Sequence, residues 1–159
     1  MAASRSSRTS RRAFLGSSAA AGAAAGWVPT FAWSQPAFAN RAANDRPLIG
    51  CIGVGGKGIG DARELASLGD IAAVCDVDSK RTDLILADAK ICKPGTDAYG
   101  DYRRILDRAD IDVVSIVTTD HWHVKIAIEA LQAGKHVFCQ KPLSLTIEEN
   151  KLARAAAEK

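Results

Sequence analysis

The sequence predicts an α/β fold with a doubly wound parallel sheet, and two observations predict it. From Pro47 onward, short apolar runs alternate with segments of helical periodicity. The first run ends in a glycine-rich turn and the second ends in an aspartate. Strands and helices alternating at this spacing build a parallel sheet with helices on both faces.

The first strand is read from Leu48-Ile49-Gly50-Cys51-Ile52-Gly53-Val54, a short apolar run with no alternation, as a buried strand requires. Ile59, Ala62, Leu65 and Ala66 follow at helical spacing, and Gly69 stops that helix. Ile71-Ala72-Ala73-Val74-Cys75-Asp76-Val77 is the second strand. A helix is expected from Ser79 through Leu84 and Ile85 to Ala89. Residues 90–98, with Lys93-Pro94-Gly95 among them, read as a loop, with a very short strand at Ala98-Tyr99. Asp101 is placed to cap a helix over residues 102–106. Val113-Val114-Ser115-Ile116-Val117-Thr118 is the third clear strand. Val124, Ala127, Ile128 and Leu131 then mark one face of an amphipathic helix ended by Gly134. His136-Val137-Phe138-Cys139 is a further strand, and Thr146-Ile147-Glu148-Glu149 is a capping box that opens a last helix.

The glycine turn carries the chemistry. Gly53-Val54-Gly55-Gly56-Lys57-Gly58 has the G-x-G-x-x-G spacing at Gly53, Gly55 and Gly58. It follows a strand and opens a helix, and Asp76 closes the next strand 23 residues after Gly53. In that context Gly53 allows the tight turn, Gly55 lets a pyrophosphate approach the backbone, and Gly58 lets helix pack on strand. The helix N-terminus offers free N–H groups to phosphates, and Asp76 can accept from ribose hydroxyls. This is the Rossmann dinucleotide-binding pattern. Asp76 favours NAD by repelling a 2′-phosphate, while Ser79, Lys80 and Arg81 leave NADP open. No Gly-Lys-Ser/Thr follows, which excludes a Walker-type loop.

Charge divides the chain. Residues 1–39 hold Arg5, Arg8, Arg11 and Arg12 and no acid; without them 17 basic residues face 18 acidic ones. A basic nucleic-acid-binding domain is thereby excluded. The leader runs from Arg11-Arg12 and Phe14-Leu15 through an Ala/Gly-rich stretch to Ala37-Phe38-Ala39, the order of a secretory signal. Paired arginines before a weakly apolar core point to twin-arginine (Tat) export to the periplasm, with the Tat machinery as partner. The stretch is shorter than the roughly 20 apolar residues of a membrane span. The expected organisation is a signal over 1–39, a linker over 40–46 and a nucleotide-binding domain over 47–159.

Four blocks resemble the glucose–fructose oxidoreductase/inositol dehydrogenase (Gfo/Idh/MocA) family. They are the Gly53–Gly58 turn, Cys75-Asp76-Val77-Asp78, Thr118-Thr119-Asp120-His121-Trp122-His123, and Ala133-Gly134-Lys135-His136-Val137-Phe138-Cys139-Gln140-Lys141-Pro142. The last is the most specific, because family members place Lys-Pro there after an acidic or amide residue. The resemblance implies NAD(P)-dependent oxidation or reduction of sugars, polyols and related cyclic compounds. It implies that Thr118 and Thr119 line the cofactor pocket, with Thr119 and Asp120 replacing the usual proline and asparagine. It places His123 near the nicotinamide ribose, and Lys141 beside nicotinamide and substrate as the group that bonds the reacting hydroxyl. Gln140 stands where glutamate is commoner. The resemblance also implies a second, substrate-binding domain, so the chain is expected to stop before the last Rossmann strand and that domain. Two other readings stay open: an NAD-dependent glycosidase of the same family, and a nucleotide-binding module with no activity of its own. His121-x-His123 lacks further ligands at a metal-site spacing, so no metal is expected. The four cysteines read as small buried hydrophobes, Cys92 excepted, which falls in the expected loop.

Overall fold

The computed structural model of the chain describes residues 46–159. The expected signal over 1–39 and linker residues 40–45 lie outside the described residues. Five strands form one parallel sheet: β1 (Leu48–Ile52), β2 (Asp70–Cys75), β3 (Cys92–Tyr99), β4 (Val113–Ile116) and β5 (His136–Cys139). Their order is β3-β2-β1-β4-β5. The sheet winds outward from β1 in both directions, so the β1/β4 boundary is the topological switch point, where such sheets bind ligands at the carboxyl ends of the strands.

The helices are α1 (Gly56–Leu68), α2 (Ser79–Leu86), α3 (Arg103–Leu106), α4 (Asp120–Gln132) and α5 (Ile147–Ala157). Alternation along the strands sends side chains into two cores. Ile49, Cys51, Val54 and Val74 pack against Ala62 of α1 and Ile85 of α2. Ile52, Ala73, Val114 and Ile116 pack on the other face against Ile105 of α3 and Ile126, Ala127 and Ala130 of α4. α5 lies against α4, and its Thr146–Glu149 capping box forms as expected. Asp101 accepts the Arg103 N–H at 3.0 Å, fixing the start of α3. Lys135 is buried between α4 and β5. Its ammonium donates to the carbonyl oxygens of Arg108 and Ile111 and so ties the α3–β4 connection to β5.

β1, β2 and β4 each end two residues before the expected runs do, at Ile52, Cys75 and Ile116, and two elements differ further. Residues 92–99 are a strand rather than a loop, and Cys92 is buried in it. Ile71 pairs with Cys92 and Ala73 with Asp97, so the intervening residues bulge outward, with Gly95 at φ +96°. β3 is a sheet edge, where proline and a bulge cost no ladder bond toward a second neighbour. That is how Pro94 and Gly95 are accommodated. The second helix ends at Leu86, three residues short of Ala89, because the chain turns on Asp88, whose carbonyl accepts the N–H groups of Ile91 and Cys92.

Candidate functional site

The glycine turn joins β1 to α1 under tight constraints. Gly53 has φ +81° and donates its N–H to the Cys75 carbonyl at 2.8 Å. A Cβ on Gly53 would lie 2.4 Å from the Val117 carbonyl oxygen, and one on Gly58 would lie 2.0 Å from the Gly53 carbonyl oxygen. Both glycines are therefore required by backbone packing. Gly55 differs: its missing Cβ would meet only the flexible Arg81 side chain, at 3.7 Å, an ordinary contact, and no backbone. Gly56 has φ +37° with nothing within 4 Å. Gly55 is the N-cap of α1, no side chain among the described residues caps that end, and no acid sits in its first turn. The Gly58 N–H donates to the Gly55 carbonyl oxygen at 2.7 Å, and the earlier amides and positive dipole end of the 13-residue helix are left for an anion.

Asp76 stands at the carboxyl end of β2. One carboxylate oxygen accepts the Val54 N–H and the other the Asp78 N–H, each at 3.0 Å. Asp78 in turn caps α2 and lies 3.8 Å from the Arg81 guanidinium. Arg81 is thereby held over the Gly55 turn.

A cavity of about 620 Å³ opens at these strand ends. Gly53, Gly55, Asp76, Thr118 and Thr119 line it, as do Val77, Tyr102 and Trp122. Val77 is 95% exposed, an apolar side chain held at the mouth of a cleft. Trp122 packs edge-on against Tyr102, and Tyr102 donates its hydroxyl to Glu129 at 2.6 Å. Burial, with Glu129 alongside, raises the Tyr102 pKa, so that hydroxyl stays protonated as the donor to Glu129.

The remaining candidate residues lie outside that lining. His123 is 1% exposed. Its Nδ1 lies 2.7 Å from the Pro142 carbonyl oxygen and its Nε2 3.0 Å from that of Thr118. It fastens the loop after β5 to the loop after β4. His121 is exposed and stacks toward Trp122, so the two histidines do not converge. Gln140 donates Nε2–H to the Asp61 carboxylate at 2.7 Å and accepts the Lys141 N–H at 2.8 Å. The Lys141 side chain is exposed.

Sequence reasoning passed over Asp61, and gave Tyr102 and Val77 no place in the site. Asp61 had a visible signal, the i,i+4 spacing from Lys57 on α1, to which it is salt-bridged. Val77 had its place next to Asp76 in the chain, whereas Tyr102 had no signal, since only the sheet order brings the end of β3 beside those of β2 and β4.

A sequence profile described as "Oxidoreductase family, NAD-binding Rossmann fold" (GFO_IDH_MocA) matches residues 48–159. A Glycosyl hydrolase family 109 protein of Shewanella sp. (strain W3-18-1) is 40% identical over 108 residues, covering 64% of this chain and 24% of that protein. A levoglucosan dehydrogenase solved with NADH and levoglucosan superposes with a TM-score of 0.62 at 29% identity, covering 71% of this chain and 32% of that one. An NAD binding oxidoreductase from Klebsiella pneumoniae gives 0.60 at 31% identity, with coverage of 71% and 32%. The chain therefore spans about a quarter to a third of the length of these relatives. With its glycine turn, its switch-point cavity and a profile match over all but two of the described residues, this chain belongs to the Gfo/Idh/MocA oxidoreductase family and is its NAD-binding Rossmann domain.

Proposed function

We propose that this domain serves an NAD-dependent oxidoreductase acting on a sugar, polyol or related cyclic substrate. The single observation that carries the reading is the uncapped N-terminus of α1 opening, through Gly55, into the same cavity as the Asp76 carboxylate. The residues present fit a dinucleotide: a side-chain-free turn and helix amides for a pyrophosphate, and an acid for ribose hydroxyls. Bound NAD supplies the hydride acceptor or donor. Gly55 and Gly56 present backbone N–H groups, and Asp76 accepts from the ribose while disfavouring a 2′-phosphate. Thr118 and Thr119 form the wall on the β4 side. Lys141 hydrogen-bonds the substrate hydroxyl and helps its proton leave as the carbon is oxidised. His123 holds Thr118 and the Lys141–Pro142 segment in place.

A second reading is favoured by the glycosyl hydrolase family 109 relative. The same residues, oxidising a sugar and later re-reducing it, would support glycoside cleavage without net redox change. The third reading, a nucleotide-binding module without turnover, differs from both in measurable terms.

The test is calorimetric titration of the chain with NAD, NADP and ADP, followed by assays with sugars and polyols plus NAD and with aryl glycosides. Saturable NAD binding weakened by Asp76→Ala supports the proposal. A chain that melts cooperatively and binds none of the three overturns it. NADH formation identifies the dehydrogenase, aryl release without NADH the glycosidase, and binding alone the module.

The leader is proposed to direct Tat export to the periplasm. Replacing Arg11 and Arg12 by Lys blocks export and leaves folding intact if this holds. Unchanged export of the double variant sinks it.

A further inference from the structure

Asp61 is a buried carboxylate on the second turn of α1, 4% exposed, and the nucleotide-binding reading gives it no task. Both of its oxygens are used. One receives the Lys57 ammonium, and the other receives Gln140 Nε2–H at 2.7 Å. Gln140 comes from the end of β5, 79 residues away. Its own carbonyl oxygen accepts the Lys141 N–H at 2.8 Å. The amide is therefore oriented without ambiguity: its NH₂ must face Asp61, and its oxygen must face Lys141. An ammonium, a carboxylate, an amide and a backbone N–H form one chain of matched donors and acceptors. That chain ties the helix under the glycine turn to the loop that carries Lys141.

A glutamate at 140 would break this chain, because two carboxylates 2.7 Å apart cannot both ionise. We infer that Asp61 is the positioning residue for the Gln140–Lys141 segment, and that its carboxylate is what requires an amide rather than an acid at position 140. Asp61 touches neither the cavity nor Lys141 itself; it acts through Gln140. The part of the inference that concerns Lys141 rests on the dinucleotide reading above, whereas the pairing of Asp61 with Gln140 does not.

Three variants of the full chain close a cycle. Asp61→Asn keeps the side chain's volume and its acceptor for Lys57 but sets an NH₂ against the Gln140 NH₂. Gln140→Glu sets carboxylate against carboxylate. The double variant restores donor to acceptor with the pair reversed, and the carboxylate introduced at position 140 still accepts the Lys141 N–H. Each single variant should lower Tm at pH 8 by about 5 °C or more. The Gln140→Glu loss should shrink at pH 5, where one proton can be shared. The double variant should recover at least half of the loss. Single variants that melt like the parent, or a double variant that loses the sum of both, overturn the pairing.

The positioning role has its own readout. Lys141 belongs to the nicotinamide side of the proposed site and Gly55 and Asp76 to the ADP side. Asp61→Asn should therefore weaken NADH about tenfold and ADP by less than about threefold, with the double variant restoring NADH affinity. Parallel loss of ADP and NADH would reduce Asp61 to a structural residue and overturn this role. A parent chain that binds neither ligand would overturn the dinucleotide reading, and the melts would still decide the pair.

Discussion

Val54 donates its backbone N–H to the Asp76 carboxylate at 3.0 Å, joining the turn after β1 to the end of β2. Val54 is fully buried, so Asp76 is the acceptor that this N–H has in place of water. The residue that faces the ribose in the proposed complex also holds the glycine turn in shape.

Asp76→Ala should therefore act twice. It leaves the Val54 N–H without that acceptor, at a cost of about 1–3 kcal/mol. It also removes the ribose acceptor, so NAD affinity should fall about tenfold or more while NADP falls less. Thermal melts measure the first effect and paired titrations the second. Equal losses for the two cofactors would reverse the preference for NAD.

His123 offers a sharper division between chemistry and architecture. Both ring nitrogens lie within hydrogen-bonding distance of backbone carbonyls, and the ring is buried. His123→Ala should cost about 3 kcal/mol through the lost hydrogen bond and the cavity left behind. The loss should appear as a drop in Tm of about 10 °C in the absence of any cofactor. A variant that melts with the parent would assign His123 to the chemistry instead.

Two glycines on one helix should respond in opposite senses. At Gly58 a methyl group would sit 2.0 Å from the Gly53 carbonyl oxygen, and backbone cannot yield as a side chain does. Gly58→Ala should destabilise by about 3 kcal/mol or more. At Gly60 a methyl group meets nothing within 4 Å and φ is not positive. Gly60→Ala should stabilise by about 0.5–1 kcal/mol through lower entropy of the unfolded chain. Urea titrations of both variants check the contrast.

The four cysteines are free thiols. Burial pushes Cys51 and Cys75 up to about 12 and Cys139 up to about 11, and raises Cys92 as well. These protons are held more tightly folded than unfolded, where a thiol titrates at about 8.5. Their contribution to stability is complete below that value and lost as pH rises toward the folded values. The native chain should resist iodoacetamide at pH 8, while the chain in urea takes up four equivalents. The urea midpoint should fall between pH 8 and pH 10.5, and Cys51→Ala should lessen that fall. A flat profile would show that these thiols do not govern the alkaline limb.

Much of the fold was legible because its signals are local. Continuous apolar runs identified β1, β2, β4 and β5, and the Thr146–Glu149 box located the start of α5 to the residue. The run 92–99 was not legible. Pro94 and Gly95 are strand breakers by local chemistry, and only the edge position of β3 beside β2 makes them tolerable.

The same division runs through the site. By itself the sequence determined the glycine spacing, the distance to Asp76 and the Thr118–His123 and Gln140–Pro142 segments, because covalent order sets those intervals. Only the tertiary structure decided which of these groups share a space. The order β3-β2-β1-β4-β5 brings Gly55, Asp76 and Thr118 to one cavity and adds Val77, Tyr102 and Trp122. It turns His123 inward to two carbonyls rather than toward that cavity. It also sets Gln140 against Asp61, a contact across 79 residues. Such a contact depends on helices and strands distant in the chain having already packed, and no interval along the chain encodes it.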